Sequence, residues 1–206
     1  MTEIDEIADD IWTRAEEQIE ALYLAGSRAV GAETKGSDYD FFGVVNEDYR
    51  FEKEKKLNQG LTEKYDEEIR LRGLSLGELN GGKQKSIITK YNPISVILKS
   101  FPNWKHLRGK EYSLEDFKVE PATAEEEARF YLDVLENNRS KAEKDELPMP
   151  FEDYVKNVLR LIGAEEQLEG ENFTQDFEKM AERAPDHAKE LAEICLVFRK
   201  TGSIEE

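Results

Sequence analysis

In "EIDEIADDIWTRAEEQIE" the apolar residues Ile4, Ile7, Ile11, Trp12, Ala15 and Ile19 recur at spacings of three and four. That period predicts an amphipathic helix reaching about Glu20, with its stripe laid on a sheet. "ALYLA" then reads as a short apolar strand broken at Gly26, and "DYDFFGVV" as a second strand after a polar loop holding Gly31 and Gly36. The following "EDYRFEKEKKLNQGLTEKYDEE" is so polar that it reads as loop or sheet edge. In "IRLRGLSLGEL", Ile69 and Leu71 alternate with Glu68, Arg70 and Arg72, which predicts a third strand. A helix from about Ser75 is interrupted by Gly81 and Gly82. Pro93 in "KSIITKYNPISVILKS" favours a helix starting there, because its fixed φ suits a first turn.

The texture changes near residue 119. Thr123 and Glu126 form a Thr-x-x-Glu capping signature, followed by Ala128, Tyr131, Leu132 and Leu135 at helical spacing. "KAEKDELPMP" is a proline-bearing loop, "FEDYVKNVLRLIGAEEQLEG" a strongly amphipathic helix stopped by Gly170, and "APDHAKELAEICLVFRKTG" a last helix ending at Gly202. The expectation is an α/β (α+β) domain over residues 1–118 and a helical domain over residues 119–206.

Composition narrows the functions. With 29 basic and 46 acidic residues the 206-residue chain carries a formal charge of −17, which argues against long duplex DNA as a partner. Between Leu79 and Lys110, however, there is no Asp or Glu, and Lys83, Lys85, Lys90, Lys99, Lys105, Arg108 and Lys110 are all basic. Such a block reads either as a solvated face or as a landing surface for a triphosphate or a nucleic-acid strand, with Tyr91, Phe101 and Trp104 available for stacking. Only His106 and His187 offer imidazole, so any metal is expected on oxygen ligands. The lone Cys195, the acidic start and the lack of a long apolar run point to a cytoplasmic protein with no membrane partner.

The chemistry concentrates in "LYLAGSRAVGAETKGSDYDFFGVV". Asp38 and Asp40, two apart on a strand, share a face about 7 Å from each other, so their charges repel unless a cation lies between them. Mg²⁺ suits that need, since it takes a few carboxylate oxygens together with substrate phosphates. The alternative is that Tyr39 and Phe41 face the core while the aspartates simply face water. Gly26 and Ser27 end the preceding strand, where a glycine lets backbone amides approach a phosphate, a serine adds a donor, and Arg28 can neutralise charge.

The order strand, Gly-Ser, ten-residue spacer, Asp-x-Asp, strand resembles the signature of DNA polymerase β-type minimal nucleotidyltransferases. "YLAGSRAVG" with "SDYDFFGVV" is similar to a subgroup that includes RNA-repair-associated polymerase-β-like proteins, and "GLSLGEL", "KYNPISVIL" and the helical ending resemble its later segments. The resemblance implies a polymerase-β-like mixed sheet flanked by helices, with two Mg²⁺ ions on Asp38, Asp40 and a third carboxylate. Glu68 is the candidate for that third acid and Asp66 an alternative, while a second alignment puts Arg70 in its place. The nucleotide would be held by Gly26, Ser27, Arg28 and Ser37, with Lys90 added. Phe42 stands where many relatives carry a basic residue. The implied activity is transfer of a nucleoside monophosphate from a nucleoside triphosphate to a hydroxyl, on an RNA 3′ end or a protein. The alternative is a degenerate, antitoxin-like module that senses nucleotide or binds protein.

Overall fold

In the computed structural model, which describes residues 3–15, 18–33, 37–142 and 150–201, the first helix α1 (Glu3–Arg14) presents Ile7, Ala8 and Ile11 to the sheet, each fully buried. It stops at Arg14, nearly two turns before the expected Glu20. Ile19 keeps the helical spacing but is claimed by strand β1 (Ile19–Ala25), where it pairs with Val45. Helix α2 (Gly26–Val30) follows, then β2 (Tyr39–Val45), α3 (Glu54–Tyr65), β3 (Ile69–Ser75), α4 (Leu76–Leu79), α5 (Ile94–Leu98) and β4 (Lys105–Gly109). The sheet runs β3-β2-β1-β4, with β1 antiparallel to both of its neighbours and β2 parallel to β3. Gly36, Gly202 and most of "KAEKDELPMP" lie outside the described residues.

The polar stretch expected as loop or edge is therefore corrected to helix α3. A parallel pair cannot be closed by a tight turn and needs a crossover of a dozen or more residues, which α3 supplies between β2 and β3. Its polar residues also have a structural task, because β3 is the outer strand and its outward backbone groups lack a neighbouring strand. Thr62 accepts from the Ile69 N–H at 3.1 Å, Asn58 from Leu71 at 2.9 Å and Glu54 from Gly73 at 2.7 Å; the Asn58 amide donates in turn to the Leu71 carbonyl at 3.0 Å. Four residues of helix rise about 6 Å and two of strand about 6.6 Å, so the two periods run in step. Burial pushes the Glu54 carboxyl up to about 7, the Gly73 N–H and Arg72 offsetting it only in part. Asn58→Leu is expected to cost about 1–3 kcal/mol by stranding both Leu71 groups, read as a lower urea midpoint with an unchanged slope.

Both faces of the sheet are covered. One carries Leu22, Leu24, Tyr39, Phe41, Ile69 and Leu71 under α1 and α3. The other carries Tyr23, Phe42, Val44 and Leu74 under Leu98, Phe101, Trp104 and Phe117. Phe101 and Trp104 are thus core residues, 7% and 8% exposed, and are corrected from the stacking surface expected of them; Tyr91 alone of the three is exposed. Within the basic block, Lys85 pairs with Glu47 and Arg108 with Asp9 at 2.8 Å, as a charge-balancing face would. Helix α4 stops at Leu79, and Ser75 and Glu78 form a capping box at its start. Glu78 is buried, which opposes its charge. Yet the Ser86 hydroxyl, the Ser86 and Lys85 amides and the Thr89 hydroxyl all donate to it and hold its pKa below the usual range.

The chain divides into two compact units, Met1–Pro121 and Ala122–Glu206. The second contains α6 (Ala124–Ala142), α7 (Phe151–Leu168), α8 (Phe177–Arg183) and α9 (Lys189–Thr201). The capping box at Thr123 and Glu126 forms as the sequence indicates, with Thr123 Oγ1 accepting from the Glu126 N–H at 3.2 Å. Val155, Leu159, Ile162, Met180, Ala192 and Cys195 make its core. Helix α8 has too short a pattern to announce itself. No helix of the described residues is long and apolar enough to cross a membrane.

Candidate active site

The C-terminal end of β1, the start of β2 and the start of β3 meet at one edge of the sheet. The antiparallel register sets Ala25 beside Asp40, and the parallel register sets Asp40 beside Arg70 and Phe42 beside Arg72. Because side chains alternate along a strand, Asp38, Asp40, Arg70 and Arg72 share the face opposite Tyr39, Phe41, Ile69 and Leu71. Gly26, immediately after β1, has φ +68°, and a Cβ there would lie 2.8 Å from Asp40 Oδ2. Only glycine combines that left-handed turn with so close an approach to the carboxylate.

Each aspartate is matched by an arginine from β3. Arg70 Nη1 lies 2.5 Å from Asp38 Oδ2, and Arg72 Nη1 lies 2.5 Å from Asp40 Oδ1. The repulsion expected between the two acids is thus met by guanidinium groups within the protein itself. Burial lowers the Arg70 pKa, but its hydrogen bond with Glu68 and the charges of Asp38, Glu68 and Asp40 outweigh that and raise it. The four side chains remain 20% to 37% exposed. Ion pairs so open to water are worth about 0–1 kcal/mol each, weak enough to be exchanged for a ligand.

Glu68 goes to Arg70 rather than to the aspartates: Arg70 Nη2 and Nε donate to its Oε1 at 2.5 and 3.0 Å, and its side chain is 59% exposed. Asp66 closes α3 in the left-handed conformation, with its N–H on the Thr62 carbonyl. Among the described residues no three His, Cys, Asp or Glu side chains are grouped to hold a metal. Arg70 therefore occupies the place on β3 beside Asp40. The alternation in "EIRLRG" puts Arg70 and Arg72 on this face, but the pairing of each with one aspartate follows from the β2 and β3 register, which the sequence does not display.

Arg28 lies in α2, between β1 and β2. Its Nη2 and Nε donate to the Ser37 carbonyl at 2.7 and 3.1 Å, and its guanidinium lies 3.6 Å from the centre of the Tyr39 ring. That clamp ties Ser37, and with it the approach to Asp38, to α2. Ser27 lies in α2 and is partly exposed, its carbonyl accepting from Ala32 at 2.9 Å. Lys90 stands apart from the strand register, exposed in the 3-10 turn Ile88–Lys90. Phe42, 8% exposed, stacks on Trp104 at 4.3 Å between centroids and is part of the core. Arg72 lies over the same ring, its Cζ 5.8 Å from the centroid.

The donor set at the sheet edge fits a divalent ion delivered together with phosphates better than ions held beforehand: two carboxylates share a face, and both are engaged by guanidiniums.

Residues 10–95 match the family model described as "Polymerase beta, Nucleotidyltransferase". No curated protein matches the chain. Among solved structures, the chain resembles spectinomycin adenyltransferase AAD(9) from Enterococcus faecialis, determined with ATP and spectinomycin, at a TM-score of 0.64 and 16% identity over 98% of this chain and 90% of that one. A toxin-antitoxin structure with AMP-PNP has a TM-score of 0.41 and 16% identity over 70% of this chain and 98% of that one, too low to carry an argument. The architecture is the polymerase-β-like nucleotidyltransferase fold, a mixed sheet flanked by helices and followed by further helices.

Proposed function

We propose, from the match of residues 10–95 to the polymerase β nucleotidyltransferase family model, that the protein transfers a nucleoside monophosphate from a nucleoside triphosphate to a hydroxyl acceptor. The observation that carries this reading is the convergence of Gly26 and Asp40, with Asp38 on the same face. Asp38 and Asp40 are the residues that would hold Mg²⁺, whose contribution when bound is to acidify the acceptor hydroxyl and neutralise the leaving pyrophosphate. The acceptor oxygen forms its bond to the α-phosphorus as the bond to pyrophosphate breaks, and the hydroxyl proton leaves to water. Gly26 gives the polyphosphate access to the strand edge, while Ser27 and Arg28, which is tied to the Ser37 carbonyl, shape its margin. Transfer in this picture depends on positioning and charge neutralisation.

ATP is the first donor to test, since it accompanies the relative of similar fold. RNA 3′ ends, protein hydroxyls and small hydroxyl compounds are the acceptor classes. We place the activity in the cytoplasm, where ATP and Mg²⁺ are supplied; the unpaired, buried Cys195 suits that setting. The chain is organised in this reading as a nucleotidyltransferase domain over residues 1–118 and a helical domain over residues 119–206.

A second reading is favoured by one observation. Arg70 stands beside Asp40 where a third acid would complete a two-ion site, as in a module that binds nucleotide without transferring it. Incubation with α-labelled triphosphates, Mg²⁺ or Mn²⁺ and each acceptor class separates the two. Label on an acceptor supports the enzyme. Bound nucleotide with no labelled acceptor in any arm supports the module.

A further inference from the structure

We infer that Arg70 and Arg72 are phosphate-binding residues that keep Asp38 and Asp40 closed to a divalent ion until a polyphosphate arrives. The inference deepens the reading above and rests on it for the identity of the ligand.

The two pairs form one cluster in which each aspartate faces a guanidinium, with Glu68 a further carboxylate on Arg70. Asp38 Oδ2 meets Arg70 Nη1 and Asp40 Oδ1 meets Arg72 Nη1, both at 2.5 Å, and the two arginines come from successive same-face positions of β3. A free metal ion must therefore displace a guanidinium from each carboxylate and leave it beside the new positive charge, which is unfavourable. A triphosphate removes that obstacle. It offers each planar guanidinium a multiply charged acceptor with two phosphate oxygens in bidentate hydrogen-bonding geometry, a better partner than a single carboxylate oxygen. Both arginines are partly open to water, at 37% and 28% side-chain exposure, so they can turn without unpacking the core. Each also keeps a second tether during the exchange, Arg70 to Glu68 and Arg72 over the Phe42 ring. The arginine beside Asp40 thus trades affinity for the ion against affinity for the phosphates. The consequence is that metal alone binds weakly, while a nucleotide retains much of its affinity without metal.

Two measurements on the full chain test this. The first titrates Mn²⁺ without nucleotide, by electron paramagnetic resonance, into the wild type, Arg70→Gln and Arg72→Gln. Each variant is expected to bind Mn²⁺ at least about tenfold more tightly than the wild type, and a nonhydrolysable ATP analogue with Mn²⁺ at least about tenfold more weakly, the equivalent of one charge-assisted hydrogen bond. Unchanged Mn²⁺ affinity, or unchanged analogue affinity, in folded variants overturns the assignment. The second needs no variant: the wild type should still bind the analogue in excess chelator, and complete loss of binding there also overturns it. The underlying reading fails differently. If the analogue binds in chelator but Mn²⁺ never enters with it, the arginine assignment stands and metal-assisted transfer falls. If Mn²⁺ enters equally well with and without the analogue, only the arginine assignment falls.

Discussion

Asp40→Asn, and separately Asp38→Asn, is expected to reduce nucleotidyl transfer by at least about 10²–10³-fold, the scale of losing one preorganised electrostatic contact to a reacting group. Asparagine matches aspartate in shape, so the strand register and the packing of Tyr39 and Phe41 should persist. Its carbonyl oxygen can still accept from Arg72, or from Arg70 in the Asp38 variant. What disappears is the negative charge that would hold an ion against the α-phosphate. The exposed ion pairs contribute little stability, and the melting temperature should move by only a few degrees. Initial transfer rates with labelled triphosphate, read beside thermal melts of the same samples, check both halves. Wild-type turnover in both variants would remove the aspartates from the mechanism.

Gly109→Ala should be the most damaging small change in the first unit. Gly109 ends β4 at φ +79°, and an added Cβ would lie 2.2 Å from the Glu20 carbonyl oxygen and 2.5 Å from Trp12. That carbonyl accepts from the Lys110 N–H at 2.8 Å, so the backbone there cannot withdraw without breaking a bond of the sheet margin. Left-handed strain of about 1–2 kcal/mol then adds to an overpacking cost of about 1–3 kcal/mol. Together these are a large share of a domain stability of about 5–15 kcal/mol. Gly31→Ala is the control, because Gly31 has φ +72° but nothing within 4 Å of an added Cβ, leaving strain alone. Denaturant midpoints should fall clearly further for Gly109→Ala than for Gly31→Ala. Equal losses would show that steric crowding at the β1 and β4 seam is not the cause.

The first three strands, the Asp38 and Asp40 pair and the helical second unit could be read from residue patterns, because each is a local periodicity or a short motif. Helix α3 could not. Glu54, Asn58 and Thr62 look like solvent-facing polar residues until the outer edge of β3 is known to need acceptors. Strand β4 also escaped notice, since "KHLRG" has no strong alternation and gains its place by pairing with β1. Phe101 and Trp104 read as a possible stacking surface because one-dimensional proximity to lysines says nothing about which side of a segment is covered.

By itself, the sequence determined where acidic charge would gather and which turn would bring Gly26 near it, as these depend on spacing along a single strand and its neighbour. Only the tertiary structure decided what neutralises that charge. Arg70 and Arg72 reach Asp38 and Asp40 from a strand about thirty residues later, and a parallel register, which is set by the packing of α3 rather than by any local turn, brings them there.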